Sequence, residues 1–236
     1  KPEDAPTFTV STGIYSFTPD VFSYLHTTEI PDALAAMIAT GKRIRAIPAD
    51  DWQDAIYPWD LLKLNSRMLR GITPEIGGMV DASVIRRGTV HIGAGTTVGP
   101  NTVIYGPVTI GNNCNIGPNC VIMPDVSIGD RVVLEPFTYV ADSLIMGDVK
   151  IGSHSRIVSA VFGQGCILAD HTTTYPSASF IEVGGRVQKE EFGAVLGEGV
   201  RAAPFTTFKN CIAGNNVIIE EGKTVSGLIE DATRVM

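Results

Sequence analysis

The side chains from which chemistry could be built in this chain are few. Two of the four histidines stand out: His154 in "IGSHSRI" and His171 in "LADHTTTYP". An imidazole changes charge near neutral pH and can take a proton from a substrate, so each is a candidate general base. His154 reads as part of an exposed turn. His171, in a stretch that leaves the regular pattern described below, is the better placed of the two. Cys114, Cys120, Cys166 and Cys211 contain no CxxC pair and lack the closely spaced Cys and His that tetrahedral zinc requires. They read as reduced thiols serving as small core residues of a cytoplasmic protein. Asp50, Asp51 and Asp54 form a short acidic cluster which, taken alone, is a solvated loop. Lys189 and Arg201 are single bases of the kind that seldom do anything specific on a surface.

Composition removes several function classes. The 236 residues carry 18 Lys and Arg against 25 Asp and Glu, a formal net charge of −7. Neutralising a phosphate backbone needs clustered cations, so the balance argues against nucleic acid as a partner. No apolar stretch approaches the roughly 18 residues that would span a bilayer. The opening "KPEDAPTFTV" lacks both an initiator Met and the apolar core of a signal peptide.

The elements that must position any site show themselves through a repeat of six. Ile92, Val98, Ile104, Ile110, Ile116, Ile122, Ile128 and Leu134 are all aliphatic. The positions four further on, Thr96, Thr102, Val108, Cys114, Cys120, Val126, Val132 and Thr138, are all small or β-branched. A helix repeats near 3.6 and a plain strand near 2, whereas a strict six signals a parallel β-helix built from hexapeptides. Each hexapeptide makes a short strand and a turn, and three close one coil. The aliphatic side chains point into a narrow prism and stack in columns, burying a core that no single coil could bury. Glycine, recurring after the aliphatic residue, is expected to supply turn conformations that a Cβ would penalise. The pattern slips at residues 135–140, resumes at Ile145, Ile151 and Ile157, and breaks again over 162–193, where an arm should leave the prism. The count points to roughly seven coils.

Residues 1–70 read as a separate α/β segment, and 71–236 as the prism with its excursion near 162–193. In the first part "TFTVSTGIYSF" alternates as a strand, Thr18 is placed as an N-cap, "IPDALAAMIATGK" is a helix ending near Gly41, and "RIRAIPA" is a strand. "YPWDLLKLNSRMLRG" is a helix with Pro58 in its first turn and Gly71 at its end.

The prism resembles the hexapeptide-repeat acyltransferases and their relatives. That resemblance implies a left-handed coil and a homotrimer of prisms side by side. The segments "STGIYSF" (Ser11 to Phe17), "IPDAL" (Ile30 to Leu34) and "WQDAIYPWDLLKLN" (Trp52 to Asn65) resemble, in order, the last third of the catalytic domain of sugar-1-phosphate nucleotidylyltransferases. A hexapeptide prism following such a domain is the layout of the bifunctional N-acetylglucosamine-1-phosphate uridylyltransferases and their archaeal relatives. The fold class implied is mainly β, a left-handed parallel β-helix preceded by a small α/β remnant of a nucleotidyltransferase domain. The activity implied joins a nucleoside triphosphate to a hexose or hexosamine 1-phosphate, releasing pyrophosphate with Mg²⁺. Asp54 matches the acid that helps hold the Mg²⁺, while Ser11, Gly13, Thr27 and Asp32 fall on the sugar-binding segments.

Departures from the pattern set the remaining expectations. The Gly-rich phosphate-binding loop of that family does not occur in these residues, so the chain is expected to be part of a longer enzyme or a relative that has lost its catalytic half, and inactive by itself. The family's sugar-binding Asn falls on Ser11, a Glu falls about at Thr27, and a Gly becomes Ile56. In the prism, a family segment supplying the His that activates acyl transfer from acetyl-CoA reads "EPFTYVAD" here, Glu135 to Asp142. Tyr139 is kept, but the His position is Pro136, which leaves His171 as the substitute base under that acyltransferase alternative. A third possibility is a non-catalytic assembly or regulatory homologue that kept the trimerising prism.

Overall fold

The computed structural model describes residues 10–50, 52–183 and 186–236. It divides into two compact units, Lys1–Asp54 and Ala55–Met236.

In the first unit a short 3₁₀ helix, Pro19–Ser23, follows Thr18. The Thr18 hydroxyl donates to the Asp20 carboxylate instead of capping a backbone amide. Helix α1, Ile30–Ala39, buries Ala33 and Met37, four residues apart, and ends at Gly41, whose φ of 81° only glycine adopts freely. Lys42 closes the unit locally with a 2.6 Å ion pair to Asp20. The two strands expected here do not form: Ser11 to Phe17 and Arg43 to Ala49 carry no ladder. A strand exists only through a paired neighbour, and the described residues of this unit supply none. Thr7 to Thr9, the start of the first expected strand, lie outside the described residues.

The second unit begins with helix α2, Asp60–Leu69. Leu62, Asn65 and Leu69, at helical spacing of three and four, are its buried positions. The Asp60 carboxylate accepts from the amides of Ile56 and Tyr57 at 3.1 and 2.9 Å, fixing the turn before the helix.

Beyond α2 the chain is a left-handed parallel β-helix of hexapeptide repeats. One face is a nine-stranded parallel sheet that starts at Met79–Val80 and ends at Arg234–Val235. Nine stacked coils are therefore present, not the seven read from the sequence. The undercount comes from the excursion: residues 163–176, read as part of it, stay in the prism with Cys166, Leu168, Thr172 and Thr174 buried. The arm is shorter: an antiparallel hairpin of Ser177–Val183 and Arg186–Phe192.

The columns are as the repeat requires. Ile92 pairs with Ile110 and Ile110 with Ile128 in parallel register, and all three are buried, at 0, 0 and 2% exposure. Backbone bonds of 2.8 Å, Gly93 N–H to Ile110 O and Gly111 N–H to Ile128 O, set the coil spacing. The column of small residues is satisfied from within: Thr96 Oγ1 donates to Gly111 O at 2.7 Å while accepting from Cys114 N–H at 2.9 Å. The thiols of Cys114 and Cys166 approach carbonyls in the same way, at 3.0 and 3.1 Å. All four cysteines are free and buried.

The glycine expectation needs correcting. Gly93 is not in the left-handed region. A Cβ there would lie 2.6 Å from Asn112 Oδ1 and 2.7 Å from the Gly111 backbone, so the residue is glycine because the next coil passes too close. Most left-handed corner positions are instead held by other residues, among them Asn101, Asn119, Phe137, His154 and Asn216.

The slip also has a structural form. From Ile122 to Val140 the coil takes 18 residues, but Val140 pairs with Ile157 after 17. The lost residue comes from one corner, occupied in successive coils by Asp142 and Ser159 and, beyond the hairpin, by Asn210. There the strands Tyr139–Ile145, Arg156–Phe162 and Thr207–Ala213 run straight through from one face to the next.

Candidate functional site

In the first unit the expected sugar-binding residues form two local pairs. The Ser11 hydroxyl bonds the Tyr15 hydroxyl at 2.9 Å and accepts from Gly13 N–H at 3.2 Å. The Thr27 hydroxyl donates to the Asp32 carboxylate at 3.1 Å and accepts from Glu29 N–H at 3.3 Å. Asp54 is exposed. Among the described residues no group of three or more His, Cys, Asp or Glu is arranged to hold a metal ion.

In the prism Tyr139 is half-buried, with the Arg156 guanidinium 5.8 Å from its ring centroid. His171 does not lie in an excursion. It occupies a regular corner at φ 60°, exposed, in a stack of four rings contributed by successive coils: Phe137, His154, His171 and Phe205. Ring centroids are 4.9, 5.2 and 4.6 Å apart, close to the separation of hydrogen-bonded strands. The left-handed conformation costs each such residue about 1 kcal/mol, which stacking offsets. His154 follows Pro136 by one coil, its amide donating to Pro136 O at 3.1 Å. Among the described residues no hydrogen bond or ring contact joins Tyr139 to His171, so the pair does not form a ready acid–base couple.

A third location escaped the sequence. A cleft of about 360 Å³ is lined by Trp59, Leu62, Lys63, Ser66 and Arg70 from α2 and the turns on either side of it, by Asp142 at the shortened corner, and by Glu190 and Glu191 of the hairpin. Trp59 is 3% exposed and carries Tyr57 and Phe192 stacked on it at 4.9 and 5.5 Å. Its indole N–H is buried without a hydrogen-bond partner among the described residues. Asn65 Nδ2 donates to Asp125 O at 3.0 Å and Ser66 Oγ to Asp125 Oδ1 at 2.9 Å, docking α2 on the corner. Burial pushes the Asp142 carboxyl above its ordinary range, while the Ser159 hydroxyl, donating at 2.7 Å, opposes that shift. Lys63 lies 3.8 Å from Glu190. The spacing of five between Val140 and Ile145 is the signal that marks the unusual corner in the sequence; nothing local indicates that hairpin and helix meet there.

The profile of the GMPPB C-terminal domain family matches residues 104–229, more than half of the chain. The chain belongs to that family. The match falls on the coils of this GMPPB C-terminal domain, while curated relatives extend the similarity to almost the whole sequence. "Bifunctional protein GlmU" of Methanococcus aeolicus is 28% identical over 92% of this chain and 60% of its own length. The protein of the same name from Methanococcus maripaludis is 34% identical over 93% of this chain and 59% of its length. "UTP--glucose-1-phosphate uridylyltransferase AglF" of Haloferax volcanii is 36% identical over 77 residues, 29% of this chain and 32% of the relative. The chain thus spans about 60% of the length of the first two relatives.

Proposed function

We propose that the chain is part of a sugar-1-phosphate nucleotidylyltransferase, which joins a nucleoside triphosphate to a hexose or hexosamine 1-phosphate and releases pyrophosphate. The observation that carries this is the order of "STGIYSF", "IPDAL" and "WQDAIYPWDLLKLN" ahead of the prism, together with GlmU relatives matched over more than nine-tenths of the chain. In the whole enzyme Asp54 would share a Mg²⁺ with acids outside these residues, and Ser11, Gly13, Thr27 and Asp32 would face the sugar. The prism joins copies into a homotrimer in the cytoplasm. It presents flat β faces for self-association, and no helix among the described residues is long and apolar enough to cross a membrane.

By itself the chain does not turn over. Pyrophosphate release should be assayed with uridine and guanosine triphosphates against glucose, mannose and glucosamine 1-phosphates. Turnover by this chain alone would refute its inactivity; absence of turnover by the full-length protein would refute the nucleotidyltransferase assignment and leave a non-catalytic assembly role, which Ser11, Ile56 and Pro136 favour. Acyl transfer from acetyl-CoA has less support, because the family's His position is Pro136 here.

A further inference from the structure

We propose that one particular face of the prism, the one carrying Val121 and Tyr139, is the surface through which copies of this chain associate; this assigns the contact within the homotrimer reading above and rests on it. The face is built from Ile85–Arg87, Val103–Tyr105, Val121–Ile122 and the first halves of Tyr139–Ile145 and Arg156–Phe162. One outward row runs Ile85, Val103, Val121 and Tyr139 in parallel register, while the alternate residues Ile104, Ile122 and Val140 point inward and are fully buried. A second outward row puts Tyr105 beside Arg87 and Val158 beside Ala141. Ile85 and Tyr175, toward opposite ends of the face, are 50% and 55% exposed. The other two faces differ. On one of them Leu144, Val161 and Ile212 are taken up by Trp59, Leu62 and Phe192, so α2 and the hairpin base cover it. The nine-stranded face breaks its outward row with Asn115, Lys150, Arg201 and Arg234, and ties Lys150 and Arg234 to Glu135 and Glu220 at 3.2 and 2.5 Å.

Three grounds make the occupant a second copy. The first is pitch. The rows repeat at the coil spacing, about 4.8 Å, and a surface meets such a ladder over many steps when it has the same spacing. A symmetry axis along the prism keeps each coil level with its own copies, so the match comes without adjustment. The second is charge. The cations of this face are Arg87, Arg156 and Lys209, and they alternate between its rows, so that each coil carries one at most. Around such an axis one row of a copy meets the other row of the next, which sets Arg87 against Ile85, Arg156 against Val158 and Lys209 against Thr207. No like charges are opposed, and opposition of like charges is what would forbid the contact. Arg156 and Lys209 lie over the rings of Tyr139 and Tyr175 at 5.8 and 5.9 Å, within the apolar surface itself. The third is size. The face rises about 24 Å from Ile85 to Tyr175 and is about 12 Å wide. The aromatic ridge from Phe137 to Phe205 runs along its edge. Together they approach the roughly 500 Å² per partner at which specific interfaces begin.

The test is the assembly of the whole chain, read by sedimentation velocity over about a hundredfold range of concentration. Val121→Lys brings cations together at the middle of the row. Val133→Lys is the matched control on the nine-stranded face, where Lys150 already stands one coil away. Circular dichroism checks that both variants keep the prism. The expected result is an oligomer for the parent and for Val133→Lys, with association weakened at least about tenfold in Val121→Lys. Hydroxyl-radical footprinting of the parent is a second readout that needs no variant. Tyr175 should become protected as concentration rises, while Met79, 73% exposed on the nine-stranded face, should not. A parent that stays monomeric throughout overturns the homotrimer reading and this assignment together. The assigned face alone is overturned by an oligomeric parent that Val121→Lys leaves intact, by equal weakening in both variants, or by protection of Met79 without Tyr175.

Discussion

Replacing Ile110 by alanine tests the prism where it is most constrained. The side chain is fully buried between Ile92 and Ile128 of the adjoining coils. Three carbon atoms are lost, worth about 0.8 kcal/mol each in transfer alone, or about 2.4 kcal/mol. The void then adds its own penalty, because the neighbouring coils cannot close on it. Their spacing is set by the 2.8 Å amide bonds from Gly93 and Gly111, not by the side chains. The total expected is about 4 kcal/mol, toward the upper end for such truncations. Urea unfolding followed by circular dichroism measures it, with Ile218→Ala as the comparison. Ile218 neighbours the buried Ile219 on one strand but is 38% exposed, so its truncation should cost well under about 1 kcal/mol. Equal losses for the two variants, or a loss below about 1 kcal/mol at Ile110, would refute the inward column and with it the account of what holds the coils together.

Three further outcomes are expected. Gly93→Ala should destabilise by about 2 kcal/mol through overpacking against the Gly111 backbone, whereas Gly222→Ala, with open space around it and φ +70°, should cost only the left-handed strain of about 1 kcal/mol; matched thermal melts distinguish them. Burial pushes the Cys166 and Cys211 thiols up to about 11 and about 12 from an ordinary 9.0. The native state therefore keeps protons that the unfolded state releases, and stability should decline as pH rises from about 9 toward 12; Cys166→Ser with Cys211→Ala should flatten that decline, read from urea midpoints against pH. For Asp142, whose carboxyl is raised chiefly by burial, ionisation costs more in the native state than in the unfolded chain. Asp142→Asn, keeping an oxygen to accept from Ser159, should leave the melting temperature at pH 7 unchanged or higher, and a clear fall would contradict the assigned cause.

What could be seen in the sequence follows from what repeats. The columns Ile92 to Leu134 and Thr96 to Thr138 announce the prism because each coil meets its neighbours through the same few contacts, so one rule is written many times. Helices α1 and α2 were visible from capping glycines and apolar spacing within ten residues. Features that depend on a single long-range meeting were not visible. Whether Ser11 to Phe17 becomes a strand depends on a partner, and periodicity says nothing of one. The sequence places His171 in an arm because the aliphatic beat stops at Phe162, yet the inward columns continue through Cys166, Leu168 and Thr172, whose sizes are less regular. The cleft joins residues 59–70, 142 and 190–191, brought together by a five-residue side and by a hairpin folding back on α2. No local pattern encodes either meeting. The Asp54 match was legible only as lineage, through the string from Trp52 to Asn65 that surrounds it.

The hairpin leaves and rejoins the prism at one point: the amides of Ser177 and Phe192 both donate to Asn210 Oδ1, each at 3.4 Å. Its two ends are therefore neighbours, and the coil below proceeds as though nothing had been inserted, with Thr173 to Tyr175 paired to Thr207 to Lys209. Such a junction behaves as a socket. Segments of quite different length and composition can be exchanged there without re-registering the ladder, so a solenoid of this kind acquires new surface by grafting while its backbone stays the same.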